Sequence, residues 1–544
     1  MQDTWIVLIP PIIVIAFAFL THRIFFALIL GLLSATFIAT DFAIIESFHM
    51  AIKYVWNISE LQNLSSLKLF FDSDNLMLIL FSFLLGIITT LIINTGGAKA
   101  YQTLINKRVK DKKDVEKATL NLSWFFFLDD YFGSLTVGSV MRPITDQFKI
   151  PRIKLSVLVN SIAGPLCLIV PISSWGAVIM MNLEKSGISN GNLNQNITIH
   201  ADPFYLYLNF IPFIFYSIII IASTWFAVLK KISFGIIYRQ EQIAKNTGNL
   251  FGGKIPINRN NFLNKTQSNL FDFLFPIISL VISIFSMVLY TGNYHLLGGS
   301  NNFVETLKSA EFIRSLFIGG CISFLGSSIL YLSRNKISLK KYLYSIIEGI
   351  ELIGPSLVVL ILAWSLADIL NTQLFTGQYL ANLLVGKIGI QLLPLMFFVV
   401  TATIAIAIGS AWGTLAIMIP LAVQMLISMF NLTPPVELSQ LPIIYPVLGA
   451  ILSGAVTGNH LSPTADTMVM SSTSTAAYHM DHVKGQHVYA IPALISTAIA
   501  FLFAGFFINY NTKIVLIFSL GIGIAINFAL LTILNQIKNH ISEN

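Results

Sequence analysis

Residues 458–467 read Gly458-Asn459-His460-Leu461-Ser462-Pro463-Thr464-Ala465-Asp466-Thr467 and interrupt an apolar run that extends over 441–475. About 20 apolar residues are enough for a helix to cross a bilayer. Pro463 cannot continue such a helix, and a break at membrane depth leaves backbone groups unpaired unless they line protein or water. Asp466 stands in the break, and no Lys or Arg occurs between Lys387 and Lys484 to neutralise it. A lone carboxylate in a low-dielectric setting must take up a proton or hold a cation.

A second apolar run, 155–181, is interrupted in a similar way by Asn160-Ser161, Gly164-Pro165 and Pro171-Ile172-Ser173-Ser174. Each interrupted run follows an apolar stretch with polar residues near its middle. In 118–141 these are Asp129-Asp130-Tyr131, and in 389–432 they are Gly409-Ser410-Ala411-Trp412-Gly413-Thr414.

The rest of the chain is equally apolar. Of 544 residues, 55% are apolar and only 10% charged, where a soluble domain carries about 25% charged residues, and the mean hydropathy is +0.77. These values predict an all-α polytopic membrane protein with no large soluble domain. Candidate crossings fall at about 5–20, 24–40, 76–94, 155–181, 204–229, 270–290, 312–332, 342–370, 441–475, 488–510 and 514–535, which is eleven. Lys and Arg concentrate in 96–117 (seven), 142–154 (four), 230–269 (seven) and 333–341 (four), whereas 41–75 has two against five acids. The excess of basic residues in cytoplasmic loops then predicts an external N-terminus and a cytoplasmic C-terminus, as an odd number of crossings requires. On this charge pattern 118–141 enters and leaves from the cytoplasm and 389–432 from outside, so both read as re-entrant hairpins. An alternative with both as full spans keeps the parity. Two units of hairpin plus broken helix entering from opposite faces form an inverted repeat, the pattern of a secondary transporter with its site at the midplane. The repeats are expected at 76–229 and 342–510, flanked by N-terminal helices at 1–75, a basic loop with linking helices at 230–341 and a C-terminal helix and tail at 511–544.

The site expected at the midplane comprises Asp466, Asn459, Ser462, Thr464 and Thr467 from the second break, faced by Asp129, Asp130, Asn160, Ser173 and Ser174 from the first repeat. A hard monovalent cation such as Na⁺ takes oxygen ligands, which carboxylates, hydroxyls and the carbonyls of broken helices supply. Asp368 belongs to the same set of intramembrane acids, although its place near the outer end of a span also lets it reach water. Plainer readings stand beside these. Asp129-Asp130 suits a solvated hairpin tip or a helix cap, Asp466 suits an N-cap, and Glu348 and Glu351 suit interfacial partners of Lys340 and Lys341. His479, His482 and His487 read as residues of an ordinary polar loop, while His460, within the break, and His482 are candidates for pH sensing.

Other functions find little support. Cys167 and Cys321 lie in apolar runs without ligand spacing, so neither a disulfide nor structural zinc is expected. The segment 248–255 has the spacing G-x-x-x-x-G-K but ends in Ile255 in place of Ser or Thr, which removes the hydroxyl a Mg²⁺-nucleotide site needs. The net charge of +7 belongs to membrane topology and not to nucleic acid binding. The acidic start of MQDTWIVLIPPIIVIAFAFL reads as a retained first span, since a signal peptide starts basic.

Several blocks together resemble the NhaC-type Na⁺/H⁺ antiporter family of the ion transporter superfamily: LDDYFGSLTVGSVMRPITDQFKI (128–150), PISSWGA (171–177), ILAWSL (361–366), GSAWGTLAIMIP (409–420), SGAVTGNHLSPTADT (453–467) and DHV (481–483). The resemblance spans roughly 76–510. It implies a bacterial inner-membrane carrier that needs no cofactor, exchanges cytoplasmic Na⁺ for external H⁺, and has the lipid bilayer as its surroundings. It leaves open a homodimer, and also a Na⁺- or H⁺-coupled carrier of a small organic anion or amino acid. The family's second break usually reads G-D-H-x-S-P-x-S-D-T, and its first broken span usually has Asp before Ser. This chain has Asn459 and Asn160 there, so any proton must be carried by Asp466, Asp129-Asp130 or Asp368.

Overall fold

The computed structural model describes residues 4–543 apart from 22–23, 72, 190–197, 257–268, 377–378, 380–388, 464 and 509. Apolar runs free of breakers become helices throughout. The first group is α1 (Ile9–Thr21), α2 (Ile24–Ala39), α3 (Ile44–Ser59), α4 (Leu67–Phe71) and α5 (Asp74–Asn94). The stretch expected as the first repeat, which begins with α5, continues with α6 (Gly97–Asn106), α7 (Lys112–Ser123), α8 (Asp130–Gln147), α9 (Arg152–Ile169), α10 (Ser174–Lys185), α11 (Pro203–Phe210) and α12 (Phe215–Lys230). A linking region contains α13 (Gly235–Thr247), α14 (Leu270–Thr291), α15 (Phe303–Ser309) and α16 (Phe312–Ser333). The stretch expected as the second repeat comprises α17 (Leu339–Thr372), α18 (Leu393–Ile408), α19 (Ala411–Met429), α20 (Ile444–Leu461), α21 (Asp466–Thr475) and α22 (His479–Phe506), and α23 (Thr512–Glu543) follows.

Among the described residues nine helices are long and apolar enough to cross a membrane, and the architecture is that of an all-α polytopic membrane protein. The stretches expected at 5–20 and 24–40 form the shorter helices α1 and α2. The run at 441–475 divides into α20 and α21, and α19, read as part of a hairpin, is itself of crossing length. In the first repeat α7 and α8 pack against each other and both against α9; in the second α19 packs against α18 and both against α20. The second halves then cross between repeats, α8 on α21 and α10 on α19. Short parallel strands β1 (Ile188–Ser189), β2 (Ile199–His200) and β3 (Val436–Glu437) join the segment after α10 to the one before α20. Around this core α17 packs on α2 and α5, α14 on α16, and α12 on α9 and α22.

The first broken span differs in detail from its reading. Gly164 and Pro165 stay helical inside α9, and the chain breaks only at 170–173. A proline removes one N–H, which packed neighbours tolerate at membrane depth.

Candidate functional site

Both breaks leave carbonyls without helical partners, and specific side chains satisfy them. At the first break, the Ser173 hydroxyl donates to the Cys167 carbonyl (2.7 Å) and accepts from the Gly176 N–H (3.0 Å), capping α10. The Tyr207 hydroxyl donates to the Leu168 carbonyl (2.6 Å). At the second break imidazoles take this role. His487 Nε2 lies 2.9 Å from the Leu461 carbonyl and His479 Nε2 lies 2.6 Å from the Pro463 carbonyl. A nitrogen facing a carbonyl must carry the proton. These histidines therefore do not occupy a polar loop, as the sequence suggested; they lie in the first turns of α22 and secure the break. His482, buried beside them, has Nδ1 2.8 Å from the Ser472 hydroxyl. His460 forms the last turn of α20, with Nε2 3.1 Å from the Asn160 carbonyl and Nδ1 3.0 Å from the Tyr216 hydroxyl.

The acids lie where these elements meet. Asp129 is the N-cap of α8: its Oδ1 accepts from the Phe132 N–H (2.8 Å) and its Oδ2 from the Ser174 hydroxyl (2.9 Å). Ser174 N–H in turn donates to the Leu128 carbonyl (2.8 Å), so this cluster ties the first hairpin tip to the first break. Asp130, the first residue of α8, has one oxygen 3.1 Å from the Tyr131 N–H, and its other oxygen is buried with no backbone N–H or hydroxyl partner among the described residues, the Trp175 indole being the donor beside the carboxylate. Asp129 and Asp130 are 2% and 1% exposed, which excludes the solvated tip. Asp466 is the first residue of α21, and Ala465, not Asp466, occupies the N-cap. Its Oδ2 accepts a hydrogen bond of 3.1 Å from the Tyr131 hydroxyl and so joins the two repeats. The Thr467 hydroxyl is buried nearby in sequence, also without a partner among the described residues.

The sequence reading overlooked three aromatic residues. The Trp412 ring centroid lies 5.9 Å from that of Tyr131 and 6.0 Å from that of Trp175. The indole N–H of Trp412 is buried and unpartnered among the described residues, whereas that of Trp175 is buried against the Asp130 carboxylate. A readable signal existed. Ser173-Ser174-Trp175-Gly176 and Ser410-Ala411-Trp412-Gly413 share one pattern, and in both the serine caps the helix by accepting from the glycine N–H, at 3.0 Å and 3.3 Å.

Four helices, α8, α10, α19 and α21, therefore begin at one centre. Negative groups are favoured at helix N-termini, and α8 and α21 carry their own in Asp130 and Asp466, whereas α10 and α19 carry tryptophans. Other expected members lie elsewhere. Asn160 faces α21, its Oδ1 3.4 Å from the Ser471 hydroxyl. Asn459 and Ser462 are buried at the end of α20. Thr464 lies outside the described residues. Asp368 lines a separate cavity of about 640 Å³ with Asn182, Lys185, Trp364, Ala416 and Gln424. There Lys185 Nζ stands 4.2 Å from the Trp364 ring centroid and donates to Asn75 Oδ1 at 2.9 Å.

The cavity opens between α10 and α19, and Ala416 on its wall is one helical turn beyond Trp412. The crossing of α8 and α21 is tight instead. A Cβ on Gly138 would come within 2.0 Å of Ser474 Oγ, and the Ser474 hydroxyl donates to the Ser134 carbonyl (2.8 Å). Arg152 Nη1 donates to the Thr475 carbonyl at 2.6 Å, beyond the end of that crossing. The segment 248–256 covers the same end through Arg152 N–H to the Leu250 carbonyl (3.0 Å), Lys254 to Asp481 (2.7 Å) and the Tyr478 hydroxyl to the Ile255 carbonyl (2.9 Å).

Broken helices that meet on the buried Asp129 and Asp130 and the half-buried Asp466, inside a polytopic bundle, are the pattern of a secondary transporter. The chain belongs to the Na⁺/H⁺ antiporter family, whose model matches residues 166–506. A protein of Haemophilus influenzae described as uncharacterized is 30% identical over 92% of this chain and 90% of its own length. The malate-2H⁺/Na⁺-lactate antiporter of Bacillus subtilis is 29% identical over 165 residues, 30% of this chain and 31% of that protein. The solved YdaH transporter of Alcanivorax borkumensis is similar in fold, with a TM-score of 0.51 at 13% identity over 84% of this chain and 89% of that one.

Proposed function

We propose that the chain exchanges Na⁺ for H⁺, with Asp130 and Asp466 as the carboxylates that hold one or the other. The observation that carries this reading is the second oxygen of Asp130, buried where the four helices begin and met by no backbone N–H, hydroxyl or cationic group among the described residues. No salt bridge among the described residues reaches Asp129 or Asp130. Burial makes an uncompensated carboxylate costly, so the site stays occupied by a proton or by a cation but not by both. Thr467 adds a hydroxyl ligand, and Tyr131 holds Asp466 in position. Asp129 and Ser174 are positioning residues, because both are consumed in tying tip to break. Exchange follows when the two crossings open in alternation; here the α8–α21 crossing is closed and the α10–α19 side holds the cavity. The Lys/Arg-rich loops support a closed crossing that faces the cytoplasm, in a bacterial inner membrane.

The test uses everted vesicles or proteoliposomes with a preset pH gradient. Added Na⁺ should collapse the gradient, and K⁺ at equal ionic strength should not. A gradient insensitive to Na⁺ would refute the assignment.

A second reading rests on a different observation. The N-termini of α10 and α19 bear no acid, and Trp412 presents a buried, unpartnered indole N–H there among the described residues, a setting that suits the carboxylate of an organic anion. The relationship to a malate/lactate exchanger supports it. Gradient collapse that requires malate or lactate in addition to Na⁺ would select this reading.

A further inference from the structure

Away from the central site, α7, α9, α12 and α13 enclose a pocket of about 350 Å³ whose walls include Lys112, Lys113, Lys231 and Lys245. At its base Lys154 bridges Glu116 and Glu241, at 2.6 Å each, and this triad neutralises all but one of its own charges. Asp111, the remaining acid of the wall, is used as the N-cap of α7, accepting from the Asp114 N–H at 2.8 Å. The pocket thus holds five lysines against three acids. None of the four outer lysines forms an ion pair among the described residues. Like charges collected in one concavity raise the local concentration of anions. Lys113 Nζ donates to the Leu229 carbonyl at 2.8 Å, and the Leu229 side chain is 46% exposed at the end of a membrane-crossing helix. Cationic groups therefore stand beside apolar surface at the level where bilayer headgroups lie.

We propose that this pocket binds a phosphate group, with Lys112, Lys113, Lys231 and Lys245 as its ligands. Both an anionic lipid headgroup and free phosphate carry that chemistry. Occupancy joins the outer arm of the first hairpin, α7, to α12 and α13, and so stabilises the packing of the first repeat on its neighbours. The inference is independent of which ion or solute the central site carries.

The test measures thermal unfolding of the purified full-length carrier in a neutral detergent. Titration with phosphatidylglycerol should raise the midpoint in a saturable way, and phosphatidylcholine should leave it unchanged. Inorganic phosphate identifies the source: a matching rise marks a free-phosphate site, and no rise marks a lipid headgroup site. The double variant Lys231→Gln, Lys245→Gln should weaken the apparent affinity roughly 25-fold, about five-fold per lysine, and Lys231→Arg, Lys245→Arg should restore it. An unaltered response in the glutamine variant, or an equal response to phosphatidylcholine, overturns the proposal. Should the glutamine variant fail to fold, the wild-type chain decides: the phosphatidylglycerol response must weaken as salt is raised, and a salt-insensitive response overturns the site.

Discussion

α8 and α21 cross with Gly138 pressed against Ser474 and carry Asp130 and Asp466 as their first residues, whereas α10 and α19 carry Trp175 and Trp412 as their second residues and border a cavity of about 640 Å³. Each crossing packs the helix after a hairpin tip against the helix after the opposite break, so topology does not distinguish them. The difference lies in the first turn of each helix. An acid offsets the positive end of its own helix and needs a counter-ion or proton once buried. An indole leaves that positive end free and adds a donor. One half of the centre therefore carries the acids that the proposed exchange uses, and the other lies on the side of the cavity.

The largest effect should come from removing charge on the cation-suited half. Asp130→Asn should lower Na⁺-dependent proton movement at least about 100-fold, ~3 kcal/mol of lost stabilisation, with normal membrane insertion. Asp129→Asn tests the contrast with its neighbour. Because Asp129 is a cap, its loss should appear first as about 1 kcal/mol of lost thermal stability, measured by unfolding in detergent. Equal exchange defects with unchanged stability in both variants would show that the two acids act as one site.

Next in size is the packing of the closed crossing. Gly138→Val places atoms where Ser474 already stands and should destabilise the carrier by roughly 1–3 kcal/mol, with exchange reduced about ten-fold. Ala416→Val points at the cavity between α10 and α19 and should change both by less than a factor of two. Similar losses in the two valine variants would mean that the crossings are equally tight in the membrane.

A smaller change should follow Trp412→Phe, which keeps the ring against Tyr131 and Trp175 but deletes the indole N–H. Under Na⁺/H⁺ exchange the rate and apparent Na⁺ affinity should stay within about two-fold, since the deleted donor does not meet a cation. A ten-fold rise in KM for an organic anion would transfer the binding role to the tryptophan half. The smallest effect belongs to the cover over the closed end. Lys254 is half-exposed, and its pair with Asp481 should contribute about 1 kcal/mol or less. Lys254→Gln should therefore shift exchange rates no more than a few-fold, and a double-mutant cycle with Asp481→Asn isolates the pair.

Much of this plan is legible in the chain. Apolar runs, the prolines at 171 and 463, and the acids inside apolar stretches together indicate a bundle with two interrupted helices. The fate of the polar groups was less legible. Glycine and proline at 164–165 look like a break as strong as Pro171, yet α9 runs through them because surrounding helices absorb a single lost N–H. His479 and His487 look like loop residues until α22 is placed against the second break, where each meets a bare carbonyl. Asp466 resembles an N-cap, but its partner is Tyr131 on a helix of the other repeat.

What the sequence determined by itself is the class of the protein and the kind of residue at each break, because hydropathy and helix breakers act locally and over a few turns. Which carboxylate is spent as a cap and which is not was decided only by tertiary structure. Asp129 and Asp130 are neighbours of identical chemistry. One is consumed by the Phe132 N–H and the Ser174 hydroxyl, while the other keeps an oxygen that no backbone N–H or hydroxyl among the described residues meets, because packing α8 against the first break brings Ser174 to Asp129 and Gly164 to Asp130.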